Sequence, residues 1–124
     1  MFTDADIISC YTWDDAVQDG EKVDVSRLAS RVGYTMPVAI TRNLFETHLK
    51  VDTEAETDLH INALLMLLAI WIKNLKEKGK ADSNRIAYSA TFQDEQVTQV
   101  WAMVEPRSPV NLEPVMTIML PSDY

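Results

Sequence analysis

The sequence predicts an α+β fold, with N-terminal short helices and one buried central helix packed on a C-terminal antiparallel sheet of three to four strands. Three observations carry this. Residues 63–72 read ALLMLLAIWI, ten apolar residues in a row. Helix-capping patterns precede that run, and period-two alternation follows it. Helices first and antiparallel strands last is the α+β order. The apolar run falls short of the roughly 20 residues of a membrane span. It therefore reads as a helix buried on nearly all sides, the hub of a single globular domain over residues 1–124, with no membrane partner.

The elements follow in order. In TWDDAVQDG, Thr12 is a helix N-cap. Asp14 and Asp15 meet the positive end of the helix dipole, and Gly20 ends the turn. The next unit repeats this grammar. Asp24 or Ser26 caps, Leu28, Ala29 and Val32 form the apolar stripe, and Gly33 terminates. Met36 to Ile40 is extended, because the residue before Pro37 is pushed out of the helical region. Thr41 caps a third short helix that buries Leu44, Phe45 and Leu49. Thr53 with Glu56 fits a capping box, with Thr57 as the alternative cap. The hub helix then runs to about Lys76 or Lys78. Its acidic start and lysine-rich end complement the dipole.

Beyond Asp82 the period becomes two. Ile86, Tyr88, Ala90 and Phe92 alternate with Arg85, Ala87, Ser89 and Thr91 as a half-buried strand. Gln93 to Gln96 is a turn, and Val97 to Val104 a second strand. Glu105 to Pro114 is a proline-rich loop. Val115 to Leu120 is a third strand, apolar enough for a covered position.

The net charge is −8, with 19 acids against 11 bases. Binding to nucleic acid needs Lys and Arg against phosphate, so direct nucleic-acid binding is not expected. One cysteine, Cys10, excludes an internal disulfide and suits a reducing cytoplasm. The N-terminus, with Asp4 and Asp6 and no long apolar stretch, does not read as a signal peptide.

No catalytic, metal or cofactor motif stands out. Two separated histidines and one cysteine are too few for a structural zinc site. Cys10 lies among Ile7, Ile8 and Tyr11, the setting of a packed thiol. The three glycines read as helix stops, so a nucleotide cofactor is not expected. Paired carboxylates at Asp14–Asp15 and Asp52–Asp58 sit at helix starts, where solvated capping is the commoner role.

One acidic stretch remains. Residues 1–25 hold Asp4, Asp6, Asp14, Asp15, Asp19, Glu21 and Asp24 against the single base Lys22. Tyr11 and Trp13 are interleaved. Aromatics beside carboxylates can dock onto Arg and Lys of a partner. The candidate partner-binding residues are Tyr11, Trp13, Asp14, Asp15, Asp19 and Asp24, set against a solvated face with Trp13 packed inward.

YTWDDAVQDGEKVDVSRLA, GYTMPVAITRNLFE and EPVMTIMLPSDY together resemble an uncharacterised family of small accessory proteins carried by bacterial plasmids, phages and other mobile elements. The pattern falls at Tyr11, Thr12, Ala16, Asp19 and Gly20, at Val23 to Ser26, at Pro37 to Ala39 with Thr41 and Arg42, and at Thr117 to Pro121. Glu21-Lys22 departs from it, where more apolar residues are the family's habit. The resemblance implies a mobile-element protein and no reaction. Small acidic proteins of that kind often inhibit host defence, for example a CRISPR effector or a restriction enzyme.

The leading expectation is a non-enzymatic, cytoplasmic protein that binds and inhibits a host protein or complex through an acidic surface. The alternative is a small nuclease- or transferase-like enzyme using His48 or His60 with Arg42 and a carboxylate, which requires these side chains in one cleft. A third option is a homodimer, with Trp101, Met103, Met116 and Met119 as an exposed apolar patch.

Overall fold

The computed structural model describes residues 11–77, 85–91 and 97–123. Asp4, Asp6, Cys10, Lys78, Gly79, Lys80, Phe92 and the expected turn at Gln93 to Gln96 lie outside them. Helix α1 (Trp13–Gln18) starts as its sequence dictates. The Asp15 N–H donates to Thr12 Oγ1 and the Thr12 N–H to Asp15 Oδ2, both at 3.1 Å, a complete capping box. Gly20 then takes φ +83° to turn the chain.

A three-residue strand, β1 (Lys22–Asp24), follows, then helix α2 (Ser26–Val32). Val25 occupies the cap position of α2. Asp24 Oδ1 accepts the Ser26 N–H at 2.9 Å, while the Ser26 hydroxyl accepts the Val38 N–H at 3.1 Å. Neither Asp24 nor Ser26 is therefore the expected cap: the cap position falls on Val25 with no side-chain cap bond, and the Ser26 hydroxyl ties the helix start to Val38 instead. Gly33, at φ +115°, ends α2 in the left-handed region.

Strand β2 (Val38–Thr41) leads through Thr41, whose Oγ1 accepts the Leu44 N–H, into a short turn α3 (Arg42–Leu44). This turn widens into a π turn over Phe45–Leu49, closed by Lys50 N–H to Phe45 O at 2.8 Å. The wider turn leaves Phe45 half-buried while Leu44 and Leu49 are buried. Helix α4 (Glu54–Glu77) comes next, then β3 (Arg85–Thr91), β4 (Val97–Pro106) and β5 (Pro114–Met119), with a 3₁₀ turn over Pro121–Asp123.

The sheet has five strands in the order β1-β2-β5-β4-β3 and is mixed. All pairings are antiparallel except β2 with β5, which run parallel with Val38 beside Met116 and Ile40 beside Ile118. The fold is α+β as expected, but the three-to-four-strand antiparallel sheet is corrected to five. Part of the extended segment at Met36 to Ile40 lies in a strand, Val38–Thr41, and the Lys22–Asp24 triplet is itself a strand. Strand β4 also reaches Pro106, which shortens the loop before β5.

The two faces of the sheet differ. Val38, Ile40, Tyr88, Val100, Ala102, Met116 and Ile118 pack against α2, α3 and α4 through Leu28, Leu44, Ile61, Leu65 and Leu68. On the other face α1 lays Trp13 against Ala39 and Val115. Met116 and Met119 are buried, so the exposed methionine patch does not exist as expected.

Helix α4 is buried on one side only, which corrects the hub reading. Ile61, Leu64, Leu65 and Leu68 face the core, while Leu59, Met66 and Ile70 remain more than half exposed. A sheet covers one face of a helix, and no second layer lies over α4 among the described residues. By length and composition alone, the 23 residues of α4 from Glu54 to Lys76 are apolar enough to cross a bilayer.

Leu68→Ala removes a fully buried side chain and should cost about 2–5 kcal/mol in denaturant unfolding, whereas Val110→Ala, at a side chain 95% exposed, should stay within about 0.5 kcal/mol. The Tyr88 hydroxyl is buried and finds no hydrogen-bond partner among the described residues. Tyr88→Phe should therefore leave the melting temperature unchanged or raise it.

Candidate functional site

A groove of about 940 Å³ opens where α1, the start of β1, the end of β2, the end of β4 and the turn at Asp123 converge. Its charged lining is Glu21, Lys22, Arg42, Glu46, Glu105, Arg107 and Asp123. The residues lie far apart in sequence, and the topology collects them.

Lys22, Glu105, Arg107, Arg42, Glu21 and Asp123 each have a partner. The Lys22 ammonium, on a side chain only 18% exposed, donates to Thr117 Oγ1 at 3.1 Å and Glu105 Oε1 at 3.4 Å. Register sets this geometry, since Lys22, Thr117 and Glu105 all sit on the α1 face of the sheet. Arg107 donates to Asp14 from Nε at 2.8 Å and from Nη2 at 2.9 Å, and to Glu113 at 3.3 Å. Its guanidinium also lies 5.4 Å from the Trp13 ring centre. Arg42 approaches Glu21 at 3.7 Å. The Asp123 carboxylate accepts from Thr41 Oγ1 at 2.8 Å and Asn43 Nδ2 at 3.1 Å.

These contacts tune the titrating groups. The Arg107 hydrogen bonds hold the Asp14 carboxyl below its ordinary range. That contact therefore stabilises the fold above the ordinary carboxylate pKa and is lost as pH falls through the lowered value. Asp19 accepts the Tyr11 phenol proton at 2.7 Å, which pushes the phenol up to about 12. The Trp13 indole is buried, and its Nε1–H has no acceptor among the described residues.

The six candidate docking residues separate by role. Trp13 is core. Asp14 grips Arg107, Asp15 completes the capping box, and Asp24 serves the start of α2. Asp19 and Tyr11 hold each other at the surface. All four aspartates and Tyr11 are exposed, with Glu21 beside them. The lone base of that stretch, Lys22, turns inward. The sequence reading missed Lys22, Arg107 and Glu105 as groove residues. Only the pairing of Lys22 with an otherwise acidic run hinted at an inward cation.

His48 and His60 line a second cavity of about 620 Å³ together with Ala63, Leu64, Leu67, Ser89, Ala90 and Thr91. His60 Nδ1 lies 3.4 Å from Leu49 O. Both histidines line one cavity, as the enzyme alternative requires. Arg42, however, lines the groove instead, and among the described residues no carboxylate lines the histidine cavity. Among the described residues no group of three or more His, Cys, Asp or Glu side chains is placed to hold a metal ion.

Asp19→Asn should return the Tyr11 phenol toward 10, read by spectrophotometric titration against Tyr11→Phe. The raised phenol favours the protonated fold, so its contribution is complete below pH 10 and disappears as pH rises through about 12.

Comparison with curated proteins and with solved structures finds no match. A family match spans the whole sequence, residues 1–124, and it includes the Tyr11–Gly20, Val23–Ser26, Pro37–Arg42 and Thr117–Pro121 segments. The chain belongs to DUF6573, a family of unknown function.

Proposed function

We propose that this protein is a non-enzymatic accessory protein of a bacterial mobile element that binds and inhibits a host protein. The target is a nucleic-acid-handling defence complex of the CRISPR or restriction kind, and the acidic surface of residues 14–24 makes the contact in the cytoplasm. One observation carries the reading. Asp14, Asp15, Asp19, Glu21 and Asp24 are all exposed, while Lys22 is drawn inward onto Thr117 and Glu105. The segment's own outward charge is therefore wholly negative, with Arg107 offsetting Asp14 and Arg42 approaching Glu21 from neighbouring elements. A surface of that sign attracts the basic patches that nucleic-acid enzymes use for phosphate.

Asp19 and Glu21 are the positions to reverse, because Asp14, Asp15 and Asp24 also support the fold. Tagged wild-type protein should capture one stoichiometric partner from nuclease-treated host lysate, and the complex should weaken steeply with salt. Asp19→Lys with Glu21→Lys should abolish capture while the far-UV dichroism stays unchanged. Equal capture by wild type and variant, or capture indifferent to salt, would rule out the acidic surface.

A further inference from the structure

The face of α4 turned away from the sheet carries its own pattern. Leu59, Ala63, Met66 and Ile70 are all exposed, at 65% for Leu59, 56% for Met66 and 57% for Ile70. Their spacing of four, three and four residues is the heptad spacing of a helix-pairing seam. The stripe runs roughly 16 Å along the helix at about 1.5 Å per residue. An exposed apolar stripe of this regularity marks an interaction surface.

The residues at its ends say what fits it. Exposed Glu54 and Glu56 stand before the stripe, and exposed Lys73 and Lys76 follow it. We propose that this face binds the same face of a second copy of the chain, with the two α4 helices antiparallel about a two-fold axis. A two-fold interface is self-complementary, and this one is so in detail. Setting Leu59 level with the partner's Ile70 also sets Ala63 level with the partner's Met66, a small residue against a large one. The same register sets Glu56 level with the partner's Lys73. A parallel pair would instead bring the lysines of both ends together. The face lies across the sheet from α1 and the groove, so this pairing and the acidic-surface reading stand or fall separately.

Sedimentation equilibrium of the full chain from about 1 to about 200 µM, at low salt, tests the pairing. Wild type should approach dimer mass with increasing concentration. Met66→Glu and Ile70→Glu should each weaken association at least about tenfold, with dichroism unchanged because both positions are exposed in the monomer, and with melting temperature unchanged only at concentrations where wild type is itself monomeric. Lys73→Glu should weaken it as well, and Glu56→Lys combined with Lys73→Glu should restore it. A monomer throughout the range would overturn the proposal, as would a dimer indifferent to Met66→Glu. So would a monomer whose Leu59–Ile70 face binds phosphatidylcholine vesicles instead. A double charge swap no better than the single one would overturn the antiparallel register.

Discussion

The parallel pairing of β2 with β5 is the contact on which the remaining structure depends. It joins a strand from the first third of the chain to one from its end. It also places Val38 and Ile40, both fully buried, next to Met116 and Ile118 in the main core. Without it β1 has no sheet to extend, α2 has no strand behind it, and α1 has no Ala39 and Val115 beneath Trp13. The groove depends on it too. Lys22 reaches Thr117 only because β1, β2 and β5 are consecutive in the sheet.

How far the sequence disclosed this varies with the range of the interaction. Local signals were legible. Thr12, Gly20, Gly33 and Thr41 act where the capping and turn rules put them, and the alternation from Arg85 to Thr91 becomes β3. β1 was not legible, because three residues are too few to show a period. β2 was recognised as extended but not as a sheet member. Its Val-Ala-Ile is buried on both faces, so it lacks the alternation that marks a half-covered strand. The ten-residue apolar run was ambiguous in a different way. A helix buried all round and a helix with one core face and one docking face spell the same unbroken run. The Arg107–Asp14 contact spans 93 positions, and no local pattern announces it.

The same limit applies to the site. The acids of residues 14–24 were visible as an acidic stretch. Their division into structural and outward-facing members was not, because Thr12, Arg107 and Ser26 draw three of them into the fold. Inward rotation of Lys22 is a consequence of strand register, which only the sheet supplies. The result is a molecule with two unlike surfaces. One side of the sheet presents carboxylates and a groove of paired charges, and the other presents the apolar stripe of α4. The proposed partner contact and the proposed self-association use opposite sides, so both can operate at once.

Native-state hydrogen exchange tests the central constraint most directly. If β2 is an integral strand of one cooperative sheet, the amides of Ala39 and Ile40 should exchange as slowly as those of Ile118 in β5 and Leu65 in α4, all limited by global unfolding. Rapid exchange at Ala39 and Ile40, with β5 and α4 still protected, would show that the N-terminal third is only loosely attached, and would contradict the account.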